Sequence, residues 1–186
     1  MNDLERLRHS VLGKRDSLSA DEIRTRSRIV LGKFEAIDAI GKASLIGCYM
    51  PRGSEIDTAE IVESWLGRGK QVAVTVRDQG GLALAPIRDP ESLVRSPEGR
   101  LEPAPDARQR LDPGDLDVLI VPGIAYSRSR RRVGYGDGLF TTLLEQVGCI
   151  RIAPVYDLQL VSDDELGGTP AGSVDLVVGE TIIYET

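Results

Sequence analysis

The residues best suited to chemistry lie in one stretch, 121–138, which ends Arg132-Val133-Gly134-Tyr135-Gly136-Asp137-Gly138. Glycines let backbone amides approach phosphate oxygens closely, and the start of a following helix adds free N–H groups carrying a partial positive charge. Arg128, Arg130, Arg131 and Arg132 bring full charges to the same stretch. An apolar run at 116–122 precedes it and a helical pattern at 139–147 follows it. In open α/β sheets, ligands bind outside the carboxyl ends of the strands, where such a loop would sit. The pattern describes a phosphate-binding loop. It equally describes a solvated basic turn between a strand and a helix, and residue types alone leave both readings open.

Other chemistries find little support. His9 is the single histidine, on the first helix beside its apolar face, and one histidine cannot build a zinc site. Ser127 and Ser129 have no base partner, so Ser-His catalysis is not expected. Cys48 and Cys149 sit in apolar runs and read as buried free thiols of a reducing compartment. The net charge of −6 argues against DNA or an anionic membrane as a partner. A nucleic-acid site on Arg128–Arg132 would also lack stacking aromatics. No run of about 18 apolar residues is present, and the first residues lack a signal peptide's basic and apolar regions, so the cytoplasm is expected. At 186 residues the chain is expected to form one domain over 1–186, with a core built from aliphatic residues because aromatics make up only 4%.

The elements that would position the loop follow from periodicity. Apolar Leu4, Leu7, Val11 and Leu12 mark one face of a helix over 3–18. Ser19 and Glu22 form a capping box that opens a second helix over 20–36, with Ile23, Ile29, Val30 and Phe34 as its stripe. A strand at 43–49, a helix at 57–66 opened by a second capping box (Asp57 to Glu60), and a strand at 71–76 make a right-handed βαβ unit. A shorter strand at 82–85 follows a turn at Gly80-Gly81. Residues 87–114, proline-rich and charged, read as a long irregular connection. Strands return at 116–122, 150–153, 175–178 and 182–184. This alternation predicts an α/β fold: a Rossmann-like open, mostly parallel sheet with helices on both faces.

Val121-Pro122-Gly123-Ile124-Ala125-Tyr126 together with 132–138 resembles the paired blocks of the 5-formyltetrahydrofolate cyclo-ligases. Leu7-Arg8 through 14–19, Tyr49-Met50-Pro51 with 54–58, and Tyr156-Asp157-Leu158-Gln159-Leu160-Val161 with Val174-Asp175 match further blocks in order and spacing. The resemblance spans nearly the whole chain. It implies that ATP phosphorylates the formyl oxygen of 5-formyltetrahydrofolate, that the other folate nitrogen attacks the activated carbon, and that loss of phosphate leaves 5,10-methenyltetrahydrofolate.

Carried over by position, the resemblance implies that Arg8, Arg132, Gly134, Tyr135, Gly136, Asp137 and Gly138 bind the nucleotide. Arg132 and Tyr135 take the catalytic roles, and Met50 and Glu55 face the folate. It also implies magnesium, yet the chain departs from the family on that side. Leu139-Phe140-Thr141 stands where Tyr-Tyr-Asp is usual, and Pro170-Ala171 stands where a His-Asp pair supplies the other carboxylate. Leu4 replaces a lysine, and Asp137 replaces Lys or Gly. No metal ligand is assigned from the resemblance, although Asp137, Asp157 or Asp175 would offer substitute carboxylates. The alternative expectation is a paralogue with an altered nucleotide site that binds a folate-like or nucleotide ligand in a regulatory or specialised role.

Overall fold

The computed structural model describes residues 2–79, 81–167 and 172–185. The chain opens with α1 (Asp3–Asp16) and α2 (Ala20–Gly32), the second capped by Ser19 and Glu22 as expected. A 3-10 turn at Lys33–Ala36 and a short α3 (Asp38–Lys42) follow, where an unbroken helix to 36 was predicted. Next come β1 (Leu45–Cys48), α4 (Ala59–Gly67), β2 (Gln71–Asp78) and β3 (Gly81–Ile87). Of the predicted Gly80-Gly81 turn, Gly80 lies outside the described residues. The proline-rich segment is more ordered than predicted: it holds a hairpin, β4 (Leu93–Arg95) and β5 (Leu101–Pro103), among three 3-10 turns that each begin with proline. Proline is pre-set for such turns because its φ is fixed and it has no N–H to leave unpaired.

The remaining elements are β6 (Val118–Ile120), β7 (Ala125–Ser127), β8 (Arg132–Val133), α5 (Leu139–Gln146), β9 (Ile150–Pro154), β10 (Leu160–Val161), β11 (Leu176–Val178) and β12 (Ile183–Tyr184). The main sheet runs β12-β11-β9-β6-β1-β2-β3. Its five inner strands are parallel, and β12 and β3 close the edges antiparallel. β1 and β2 flank α4 and pair in register from Leu45–Gln71 to Cys48–Val74, as the βαβ reading requires. A second sheet, β10-β7-β8, takes β7 and β8 from the 121–138 loop and β10 from residues 160–161.

Side chains alternate across a strand, and the two faces of the sheet divide accordingly. Ile46, Cys48, Val72, Val74, Val118, Ile120, Ile152 and Val178 pack under α2, α3 and α4. Ala73, Leu119, Val121, Ala153 and Val177 pack against Leu143 and Leu144 of α5. Both faces are therefore covered, which is why the parallel strands read as continuous apolar runs. The predicted α2 stripe holds at Val30 and Phe34 but not at Ile29, which is 48% exposed, while Leu31 turns inward. The second capping box does not form. The Thr58 hydroxyl donates to the Tyr49 carbonyl at 2.6 Å, and Glu60 pairs with Arg28 instead of reaching back.

Gly47 lies on the α5 face of β1. A Cβ there would stand 2.8 Å from Cδ1 of both Leu116 and Leu119, which are buried. Overpacking of this kind costs about 1–3 kcal/mol. Gly47→Ala is expected to lower stability by that amount, measured as a lower denaturant midpoint with an unchanged slope.

Beyond β1 the chain moves outward to β2, and beyond β6 it moves the opposite way to β9. The two neighbouring strands thus send their following segments apart, and a crevice opens between their carboxyl ends.

Candidate active site

The segment after β1 brings Arg52 to this crevice and Ser54 and Glu55 to the wall behind it, and the segment after β6 returns from the β7–β8 hairpin as Gly134–Gly138. At the centre is Glu55, 3% exposed. Its Oε1 accepts from the Tyr135 hydroxyl at 2.7 Å and from Arg100 Nη2 at 3.0 Å. Its Oε2 accepts from the Arg52 amide at 2.8 Å and from Arg100 Nη1 at 3.0 Å. A carboxylate taken out of water costs several kcal/mol unless its lone pairs are met, and four donors meet these.

Tyr135 ties that carboxylate to a second buried ion. Its hydroxyl accepts from Arg15 Nη2 at 2.9 Å, while Arg15 Nε donates to the Ser54 hydroxyl at 2.9 Å. The guanidinium groups of Arg15 and Arg52 each lie 5.8 Å from the centre of the Tyr135 ring. Burial first, and then the negative charge of Glu55, push the Tyr135 phenol up, against the opposing pull of Arg15. Tyr135 therefore stays protonated and bridges the anion and the cation as a neutral hydroxyl.

On the other side of Tyr135 the glycines shape a cradle. Arg132, 2% exposed, donates from Nε to the Pro122 carbonyl at 2.8 Å and stacks over Phe140 with its guanidinium carbon 5.5 Å from the ring centre. Gly134 runs directly against that guanidinium: a Cβ would lie 2.9 Å from Nη1 and 3.0 Å from Nη2. Arg8 donates from Nε to the Gly134 carbonyl at 2.8 Å. Gly136, with φ +103°, passes over Arg8, and Gly138, with φ +73°, opens α5. Both backbone conformations favour glycine. Asp137 accepts weakly from the Leu139 amide at 3.3 Å and pairs with Arg77, also at 3.3 Å.

Two lobes result. The smaller, framed by nine residues, is bounded by Arg8, the 134–138 backbone, Phe140 and Thr141. The larger, framed by fourteen, opens beneath the β4–β5 hairpin toward Arg52, Arg77, Ser96 and Arg100. Arg132, Tyr135, Asp137 and Phe140 line both, so the lobes are two ends of one cleft.

The structure brings together Arg8, Arg132, Gly134, Tyr135, Gly136, Asp137 and Gly138 in the smaller lobe. Met50 and Glu55 line neither lobe. The Met50 side chain belongs to the main core, 2% exposed, and Glu55 lies behind Tyr135 and Arg100. Of the arginine run, only Arg132 reaches the cleft. Arg128 is exposed at the β7–β8 turn, Arg130 donates to the Glu185 carbonyl at 3.0 Å, and Arg131 donates to the Gly167 carbonyl at 2.7 Å. Hairpin pairing spends these residues on a turn that points away from the glycines. Arg15, Arg52, Arg77 and Arg100 were not singled out from sequence as site residues. Arg100 carried no signal there: it is one arginine in a charged, proline-rich segment.

The fit of a triphosphate and of magnesium differs. The cradle offers the guanidinium groups of Arg8 and Arg132 and a backbone free of Cβ atoms at Gly134, Gly136 and Gly138, which suits phosphate oxygens. For a metal, no group of three or more His, Cys, Asp and Glu is gathered among the described residues. Asp157 is occupied by the Glu180 amide at 2.8 Å and the Thr181 hydroxyl at 2.5 Å, and Asp175 by a bidentate pair with Arg151 at 2.9 Å. Asp137 is the carboxylate that lines the smaller lobe, beside Thr141. Pro170 and Ala171 lie outside the described residues. One carboxylate with substrate phosphates is an ordinary magnesium environment, so the lobe fits a magnesium ion carried mainly by the phosphates. No helix among the described residues is long and apolar enough to cross a membrane.

The sequence and the fold both resemble those of known proteins. The model of the 5-formyltetrahydrofolate cyclo-ligase family matches residues 1–177. A probable 5-formyltetrahydrofolate cyclo-ligase of Caenorhabditis elegans is 25% identical over all of this chain and 96% of its own length. The 5-formyltetrahydrofolate cyclo-ligase of Mycolicibacterium smegmatis is 32% identical over 63% of this chain and 61% of its own. The solved structure of Aquifex aeolicus 5,10-methenyltetrahydrofolate synthetase matches with a TM-score of 0.86 at 25% identity, covering 98% of this chain and 92% of that one. The 5,10-methenyltetrahydrofolate synthetase of Mycoplasma pneumoniae matches with a TM-score of 0.74 at 16% identity, covering 95% of this chain and 98% of that one, a likeness of fold.

Proposed function

The chain belongs to the 5-formyltetrahydrofolate cyclo-ligase family, and from that premise we propose that it converts 5-formyltetrahydrofolate to 5,10-methenyltetrahydrofolate with ATP and magnesium. One observation carries this reading: Tyr135 and Arg132 line both lobes of a cleft whose smaller lobe is built for phosphate oxygens. Transfer between two ligands requires them to meet end to end, and the junction of the lobes is where they would meet.

ATP supplies the phosphoryl group that makes the formyl oxygen a leaving group. The chain's own residues do the holding. Arg8, Arg132 and the amides of 134–138 grip the phosphates, with charge already in place where it develops. Tyr135, fixed between Glu55 and Arg15, presents a rigid ring at the junction. Phe140, Leu139 and Leu82 give the cleft an apolar wall that keeps water from the reacting carbon. Asp137 and Thr141 would face the magnesium, which when bound would supply positive charge to the transferred group.

The test is the appearance of methenyltetrahydrofolate absorbance when the protein meets 5-formyltetrahydrofolate. Turnover is expected to require both ATP and magnesium. Folded protein that binds the folate but gives no product under any magnesium concentration would contradict the reading and favour the non-catalytic paralogue. A variant sharpens the metal assignment. Thr141 faces the smaller lobe with a neutral hydroxyl, so Thr141→Asp adds a second carboxylate there. It is expected to lower the magnesium concentration for half-maximal rate by about threefold to tenfold, since hard carboxylate oxygens are the ligands magnesium prefers.

A further inference from the structure

Arg100 stands between the buried Glu55 carboxylate and the larger lobe. A guanidinium has five N–H donors in a fixed plane. Three of these are used: Nη1 donates to the Met50 carbonyl at 2.7 Å and to Glu55 Oε2 at 3.0 Å, and Nη2 donates to Glu55 Oε1 at 3.0 Å. The other two, Nε–H and the neighbouring Nη2–H, form the second edge of the plane and have no acceptor among the described residues. They are not sealed in either. Among the described residues, the buried side-chain nitrogen or oxygen without a partner is Arg130 Nε, whereas the Arg100 side chain is 20% exposed and lines the lobe. The Glu55 side chain behind it is 2% exposed. The backbone of Arg100 is itself held at the hairpin turn, where its carbonyl accepts from the Ser96 amide at 2.8 Å. The carboxylate fixes the guanidinium, and the guanidinium, not the carboxylate, faces the larger lobe.

We propose that Arg100 is a specificity-determining residue whose open Nε/Nη2 fork reads acceptor oxygens at the reacting end of the folate. The location follows from a shared atom. Arg100 Nη2 and the Tyr135 hydroxyl donate to the same oxygen, Glu55 Oε1, so Arg100 stands in the larger lobe next to Tyr135, which lines both lobes. A fork made only of donors pairs with two oxygens. The reacting end of 5-formyltetrahydrofolate offers two, the formyl oxygen and the adjacent ring carbonyl oxygen. This inference rests on the function proposed above.

Equilibrium binding without ATP tests it apart from catalysis, using 5-formyltetrahydrofolate and 5-methyltetrahydrofolate, which lacks the formyl oxygen. Arg100→Gln is expected to weaken 5-formyltetrahydrofolate about tenfold or more and 5-methyltetrahydrofolate about threefold or less, because hydrogen bonds to a charged donor are strong and are lost with their acceptor. Arg100→Lys keeps a positive charge against Glu55 but has no fork, and is expected to behave like Arg100→Gln toward the formyl compound. Equal losses for both ligands, full affinity in both variants, or rescue by lysine would overturn the assignment. If the unaltered protein binds neither folate, the proposed function falls with it. If it binds both and the variants do not discriminate, the inference about Arg100 alone fails.

Discussion

Tyr135→Phe is expected to reduce kcat for methenyltetrahydrofolate formation by about a hundredfold or more while the protein stays folded. The substitution deletes one oxygen and keeps the ring. That oxygen bridges two buried ions: it donates to Glu55 at 2.7 Å and accepts from Arg15 at 2.9 Å. Without it, Arg15 Nη2 loses its acceptor and Glu55 Oε1 loses one of two donors. Leaving buried polar groups unsatisfied costs about 1–3 kcal/mol, a loss the rest of the fold can carry. The larger effect falls on geometry, because the ring that faces both lobes is no longer fixed, and small misplacements of reacting groups carry large rate penalties. Single-turnover kinetics should show the chemical step slowed. An unchanged rate would mean that the Glu55–Tyr135–Arg15 chain only braces the fold.

Gly134→Ala is the second large effect, expected to raise the KM for ATP at least about tenfold with a smaller loss in kcat. The new Cβ would stand 2.9 Å from Arg132 Nη1 and 3.0 Å from Nη2, closer than side-chain carbons approach nitrogen. A surface arginine would swing aside. Arg132 cannot do so freely, because Nε is tied to the Pro122 carbonyl and its plane lies over Phe140. The guanidinium must leave its seat, and the fixed charge assigned to the phosphates moves with it. Gly148→Ala provides the control, since a Cβ there meets nothing within 4 Å and is expected to leave KM unchanged. Equal KM values in the two variants would detach Arg132 from nucleotide binding.

What sequence could reveal here was whatever is local. The Ser19–Glu22 capping box, the βαβ unit around α4 and the apolar run of β6 all depend on neighbours within a few residues, and all are present. The glycine loop was legible for the same reason, since close backbone approach requires glycine wherever the chain goes. The same local logic failed where distant partners competed. Glu60 fits a capping box but finds Arg28 on α2 instead, and Thr58 gives its hydroxyl to Tyr49. Ile29 fits the helical stripe but lies on the rim, 48% exposed. The arginine run read as a single positive patch, yet the β7–β8 turn splits it, and one member alone enters the cleft.

The site's centre was the least legible part. Glu55, Arg100, Tyr135 and Arg15 lie 40 or more residues apart in sequence for most pairings, and they come from four separate places: the connections after β1 and β6, the β4–β5 hairpin and α1. Arg100 comes from a hairpin within a segment that read as irregular, because its strands are three residues each and too short to show a period.

The central claim is that the cleft joins a nucleotide to a folate so that phosphate leaves with the formyl oxygen. The most direct measurement uses 5-formyltetrahydrofolate labelled with heavy oxygen in the formyl group and follows the label during turnover with ATP. The account predicts that the inorganic phosphate released carries the heavy oxygen, one atom for each methenyltetrahydrofolate formed. Unlabelled phosphate alongside product would contradict it, because the formyl oxygen would then have left without ever being bound to phosphorus.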